Sequence, residues 1–179
     1  GNSSAISSGG TDSMTYHTGR AAGTNGKTAV QYRHIENPYG NVFEWVDGIN
    51  FSDGTVYVCL NPASYADDTA NNYTNIGAKI QNNGYISAIG VAAAMPWAFY
   101  PTAVGGSETT YIPDYAFCNS GWRVLLVGGN WNNGGNAGLF YFNANNASSN
   151  SNSNVGARLL VFLLTGAGFP SPLGENIAA

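Results

Sequence analysis

The sequence predicts a single α+β domain of short antiparallel strands, few helices and long ordered loops. Three observations lead there. Only 9% of the 179 residues are charged, against about 25% in an ordinary globular chain, so polarity comes from Asn, Ser, Thr and Gly. Thr55–Leu60 alternates its side chains with the period of a strand, and Asn37–Gly48 spaces its apolar residues with the period of a helix. The length suits one domain with a sizeable core. The 24 glycines and 11 tyrosines favour turns and aromatic-bearing strands over helices.

Residues 1–26, rich in Ser, Gly, Thr and Asn, read as a flexible or loosely docked segment ahead of a domain spanning residues 27–179. Within this lead, Ala21–Thr28 fits a relaxed phosphate-loop pattern. It lacks the buried strand before it and the long helix after it that such a loop needs to aim amides at phosphate. Val30–Arg33 reads as a short strand. Asn37 suits a helix N-cap, Pro38 the first helical position, Tyr39, Val42, Phe43 and Val46 one face, and Gly48 the stop. This helix is expected to pack on the core.

Thr55–Leu60 places Val56, Val58 and Leu60 on one side of a strand, with Asn61-Pro62 ending it. Residues 63–83 read as a long ordered loop anchored by Tyr65, Tyr73 and Ile76. Its Asp67-Asp68 pair lacks calcium-loop spacing and reads as a solvated turn. Gly84–Val91 is a further strand, while Pro96-Trp97 and Tyr100-Pro101 mark irregular, aromatic-rich chain. Trp122–Val127 and Val155–Leu164 are apolar strands bracketing a segment with 10 asparagines between Asn130 and Asn154. The short apolar run Leu139–Phe142 sits inside it.

The chemistry classes narrow quickly. A net charge of −4 is unfavourable for nucleic acid, which needs basic patches to neutralise phosphates. No apolar run reaches the roughly 18 residues of a membrane helix, so no membrane insertion is expected. His17 and His34 form no metal-binding or nucleophilic motif, and the acids Glu36, Glu44, Asp47 and Asp53 show no pairing that assigns catalytic roles. No enzyme activity, metal or cofactor is therefore expected. Cys59 and Cys118 have neither zinc-site nor redox-dithiol spacing, and both pairing and free thiols fit them.

Several short motifs occur in a fixed order. They are Arg33-His34-Ile35-Glu36-Asn37-Pro38, Gly40-Asn41-Val42-Phe43-Glu44-Trp45, Val46-Asp47-Gly48-Ile49-Asn50 and Ile112-Pro113-Asp114-Tyr115. Arg123 through Gly128-Gly129-Asn130-Trp131 follows, and Gly156-Ala157-Arg158 closes the series. Together they resemble the C-type-lectin-like domain shared by formylglycine-generating enzymes and the variable proteins of diversity-generating retroelements. The likeness runs from about Gly26 to Leu164. It implies a C-type-lectin-like fold of the formylglycine-generating-enzyme subgroup. The copper-binding cysteine pair of those enzymes has no counterpart after Cys118, and the calcium motifs of sugar-binding lectins are altered here to Glu36-Asn37-Pro38 and Trp131-Asn132-Asn133.

What the resemblance implies instead is a non-enzymatic frame displaying a hypervariable surface to a protein or glycan receptor on a host or neighbouring cell. Such a domain belongs on a phage virion tail or an extracellular surface, and its self-association into a homo-oligomer fits as well. In these systems adenines copied from a template are randomised, so Asn codons are favoured targets. The expected ligand-binding residues are Asn130, Trp131, Asn132, Asn133, Asn136, Tyr141, Asn143, Asn145, Asn146, Asn150, Asn152 and Asn154. Trp131 and Tyr141 are the expected aromatic anchors, with Leu139, Phe140 and Phe142 holding the loop and Trp45, Trp122, Arg123 and Arg158 serving as scaffold. The alternatives are a structural tail or fibre module and, further off, an enzyme of the formylglycine-generating type.

Overall fold

The computed structural model describes residues 5–21, 27–80, 82–110 and 112–158. In chain order the strands are β1 (Thr18–Arg20), β2 (Val30–Tyr32), β3 (Ile35–Glu36), β4 (Phe43–Ser52), β5 (Thr55–Val58) and β6 (Thr74–Lys79). They continue as β7 (Gly84–Ala92), β8 (Met95–Val104), β9 (Tyr115–Cys118), β10 (Trp122–Val127), β11 (Phe142–Ala144) and β12 (Val155–Gly156). The only helical elements among the described residues are two single 3-10 turns, Pro62–Ser64 and Gly134–Asn136.

The expected α+β architecture, and with it the C-type-lectin-like fold, is therefore overturned: the described chain is almost entirely β. Nine strands form one sheet in the order β6-β5-β4-β10-β11-β9-β7-β8, with β12 added beside β4. The two ends of that order, β6 and β8, come alongside each other, so the sheet is nearly closed like a barrel. A second, three-stranded sheet holds β1, β2 and β3.

The segment expected as a helix instead supplies the middle of the large sheet. β4 pairs antiparallel with β10 along one edge, and along the other with β5 and, in parallel, β12. Val42, Phe43, Trp45 and Val46 are β-branched or aromatic, and a short apolar run does not distinguish a helix face from a strand buried on both sides. Partners on both edges decided the outcome. Gly48 is a bulge rather than a helix stop. The register with β10 slips from Val124↔Asn50 to Leu125↔Val46, and Gly48 has φ +76. A Cβ there would stand 2.7 Å from the Tyr65 ring.

β8 is also a departure from expectation. Prolines normally end strands, yet Pro96 and Pro101 lie within β8. β8 forms a ladder only with β7 and at shifted register, and a strand paired on one edge tolerates a missing N–H. In β5 the expected alternation holds for Val56 and Val58, which are buried. It then inverts, with Cys59 buried and Leu60 exposed.

β10 reads as an unbroken apolar run because it is buried on both faces. Leu125 joins the inner cluster of Phe51, Val56, Val58, Ile76, Ile80 and Met95. Leu126, its neighbour on the opposite face, packs with Phe43 and Tyr141 in an outer cluster flanked by Trp45, Tyr115 and Phe117. Fully burying side chains of this size contributes about 1.5–3 kcal/mol each. The expected strand Val155–Leu164 is seen as β12, and its residues from 159 onward lie outside the described residues. Ala21–Thr28, the phosphate-loop-like stretch, also lies mostly outside them.

Candidate functional site

The segment after β10 leaves the sheet at Gly128-Gly129 and returns as β11. Its first asparagine is not on the surface. Asn130 is 3% exposed and bridges in parallel to Asn41. Its Oδ1 accepts the Asn132 N–H at 3.0 Å, while Asn133 Oδ1 accepts the Asn130 N–H at 2.7 Å. These side-chain bonds mimic backbone turns, the ordinary work of Asn in loops.

The same pattern recurs downstream. Asn143, 5% exposed, accepts the Asn145 N–H at 2.8 Å, and Asn152 accepts the Ser153 N–H at 2.8 Å. Asn145 Oδ1 accepts from Asn119 Nδ2 at 3.1 Å, and Asn146 Oδ1 from Asn150 Nδ2 at 3.2 Å. The main-chain carbonyls of Asn146 and Asn154 accept the N–H groups of Val124 and Phe43, tying the segment to β10 and β4.

Tyr141, expected as a surface anchor, is in the core at 1% exposure. Its ring contacts Phe43 and Phe117 at centroid distances of 5.6 and 5.9 Å. Burial pushes its hydroxyl pKa up to about 12, against the pull of hydrogen bonds with Asn143 and Asn133. Asn130, Tyr141 and Asn143 are thus frame, because a receptor cannot reach them. Asn132, Asn145 and Asn152 are exposed, and Trp131, Asn133, Asn136, Asn146, Asn150 and Asn154 are half-buried.

Two residues expected to hold the loop are instead its most exposed apolar side chains, Leu139 at 65% and Phe140 at 55%. They sit on the turn Gly138–Tyr141, closed by a Tyr141 N–H to Gly138 carbonyl bond of 3.2 Å. Together with Ile86, Ile89, Phe99 and Pro101 they line a cavity of about 190 Å³. Phe99 and Trp97, two residues apart on β8, are also exposed. One signal in the sequence pointed to this. Leu139-Phe140-Tyr141-Phe142 is four apolar residues directly after a glycine, and a turn cannot bury all of them.

The motifs quoted from the sequence meet at a second place. Arg158 pairs with Glu44 through Nε, and its Nη2 donates to the carbonyls of Glu36 and Asn37 at 2.6 Å. Glu36 in turn accepts the Gly9 and Thr11 N–H groups at 2.9 and 2.8 Å. Asn41 both donates to and accepts from the Ile6 backbone. Burial raises the Glu36 pKa, but these hydrogen bonds and Arg158 outweigh it and hold the carboxyl below its ordinary value. Ile6, Asn41, Glu44 and Arg158 line a cleft of about 330 Å³. Its charged groups are engaged in pinning the N-terminal arm and the closing strand.

Among the described residues no three His, Cys, Asp or Glu side chains gather as a metal site. Asp67 is held above the ordinary range by burial and by neighbouring Asp47 and Asp68. Cys59 and Cys118 are free thiols, and no described helix is long and apolar enough to cross a membrane. No family model, curated protein or solved structure matches the chain.

Proposed function

We propose that this chain is a non-enzymatic binding domain that presents the exposed part of residues 130–154, with the adjoining face of β8, to a protein or glycan receptor. One observation carries the reading. Leu139 and Phe140 stand out into solvent on a segment whose buried asparagines bond its own backbone. Exposed apolar side chains on a rigid support are what a recognition surface needs, because little conformational freedom is lost on contact. Phe140 and Leu139 replace Tyr141 as anchors, and Trp131, Asn132, Asn136 and Asn145 remain accessible elsewhere on the segment.

Diversification by a retroelement and attachment from a virion tail or cell surface belong to the same proposal. Template copying requires only a frame that survives substitution at its surface. Asn132, Asn145 and Asn152 meet that condition by their exposure.

The test is adhesion of the labelled domain to glycan arrays and to panels of intact bacterial cells. Binding is expected to be lost on combined Leu139→Ser and Phe140→Ser substitution, with the Tm lowered by no more than roughly 2 °C. Retention of binding in this variant would count against the surface. A copper-dependent oxidation of a peptide cysteine would count against a purely binding role.

A further inference from the structure

A carboxylate is among the costliest side chains to bury, and Asp114 is 5% exposed. It lies directly before β9. Its Oδ2 accepts the Phe140 N–H at 2.6 Å, and its main-chain carbonyl accepts the Ile86 N–H from β7 at 3.0 Å. Its Oδ1 faces Gly138, where a Cβ would stand only 2.0 Å away. Glycine is therefore what lets the turn close over this carboxylate. One buried acid ties β7 to the turn that carries Leu139 and Phe140.

We infer that Asp114 is the positioning residue of the Gly138–Tyr141 turn, and that the charge on its carboxylate sets how firmly Leu139 and Phe140 are held at the surface. An ionised acceptor makes a short, charge-assisted hydrogen bond roughly twice as strong as a neutral one. That gain is smaller than the cost of holding the charge out of water at a site 5% exposed, so the turn is firmest with the carboxyl protonated and loosens as the charge forms. Burial raises the Asp114 pKa, opposed by the Phe140 N–H, and the loosening therefore sets in as pH rises through a value above that of an ordinary aspartate. The neighbouring titratable groups are Tyr85, Tyr115 and Tyr141, in ring contact or packed behind the turn, and Glu108, whose carboxylate lies 3.2 Å from a Cβ built at Gly135. Tyrosines do not ionise in the acid range, which leaves Glu108 as the neighbour to control. This role holds whatever the surface binds.

The experiment is an NMR titration of the full isotope-labelled chain from about pH 3 to pH 8. The Phe140 amide proton and the Asp114 carboxyl carbon are expected to shift with one shared midpoint above the ordinary aspartate value of about 3.9. The protection factor of the Phe140 amide is expected to fall roughly fivefold to tenfold as pH rises through that midpoint. Asp114→Asn should abolish the Phe140 titration, and Glu108→Gln should leave it in place. A Phe140 signal that does not titrate, or whose midpoint differs from that of the Asp114 carboxyl in the unmodified chain, overturns the inference. So does a Phe140 titration that disappears in Glu108→Gln or persists in Asp114→Asn.

Discussion

Residues 59–73 and 128–141 both leave the large sheet for more than a dozen positions, and they are held in different ways. The first loop has turn bonds of its own, with Asn61 Oδ1 accepting the Ala63 N–H and Thr69 Oγ1 the Asn71 N–H, and a buried tie from the core. Asn50, 2% exposed in the middle of β4, donates through Nδ2 to the carbonyls of Ala66 at 2.7 Å and Thr69 at 3.0 Å. The second is fastened by its own side chains, Asn130 and Asn133, with Asp114 and the backbone of Gly40 and Asn41 as its outside ties. The buried tie of the first loop comes from one distant residue, Asn50, which holds two of its carbonyls. A loop that carries its own turn chemistry leaves the residues between its fastenings open to change, as the display role proposed for residues 128–141 requires.

The comparison can be broken in steps, beginning with the core beneath the display segment. Tyr141→Ala is expected to cost about 3–5 kcal/mol in urea unfolding, since an aromatic side chain is removed from a packed site. Asn50→Ala should cost about 2–3 kcal/mol because it leaves two loop carbonyls without their donor. Its amide-exchange signature should fall on residues 61–73 and spare 130–146. Asn143→Ala should cost about 1–2 kcal/mol and show the opposite distribution, releasing Asn145 and Tyr141. If both asparagine variants loosen both loops, the two are not independently held.

The acids separate the regions by sign. Glu36 is held below its ordinary value, so its contribution is present above about pH 4.5 and is lost as pH falls through the lowered pKa. Asp114 is raised, so its contribution is complete below about pH 3.9 and is lost as pH rises through the raised pKa. Urea midpoints from pH 3 to pH 7 are therefore expected to converge with the unmodified chain in acid for Glu36→Gln. Asp114→Asn should gain on it as pH rises. The smallest effect is predicted for the exposed position Asn132→Ala, within about 0.5 kcal/mol at any pH.

Much of the strand content could be read in the residues. Thr55–Val58 and Gly84–Ala92 show strand patterns, and Trp122–Val127 is a continuous apolar run of the kind a doubly buried strand requires. Met95–Val104 was hidden by Pro96 and Pro101, because one-sided pairing is invisible in one dimension. The Asn37–Gly48 stretch failed for a related reason. Its apolar spacing satisfies a helix, and only β10 on one edge with β5 and β12 on the other made the strand the lower-energy choice.

The display segment divides along the same line. Composition alone determined that residues 130–154 form turns between strands. It also determined that polarity here comes from amides rather than charge. Only the tertiary structure decided which of those amides work inward and which face out. Asn130 and Asn132 are identical residues two positions apart, yet one is 3% exposed and holds the backbone while the other is exposed. The physical reason is that an asparagine's role depends on which backbone N–H lies within about 3 Å of its oxygen. That is a property of the neighbouring chain, and the neighbours here are brought together by a sheet whose strand order does not follow the sequence.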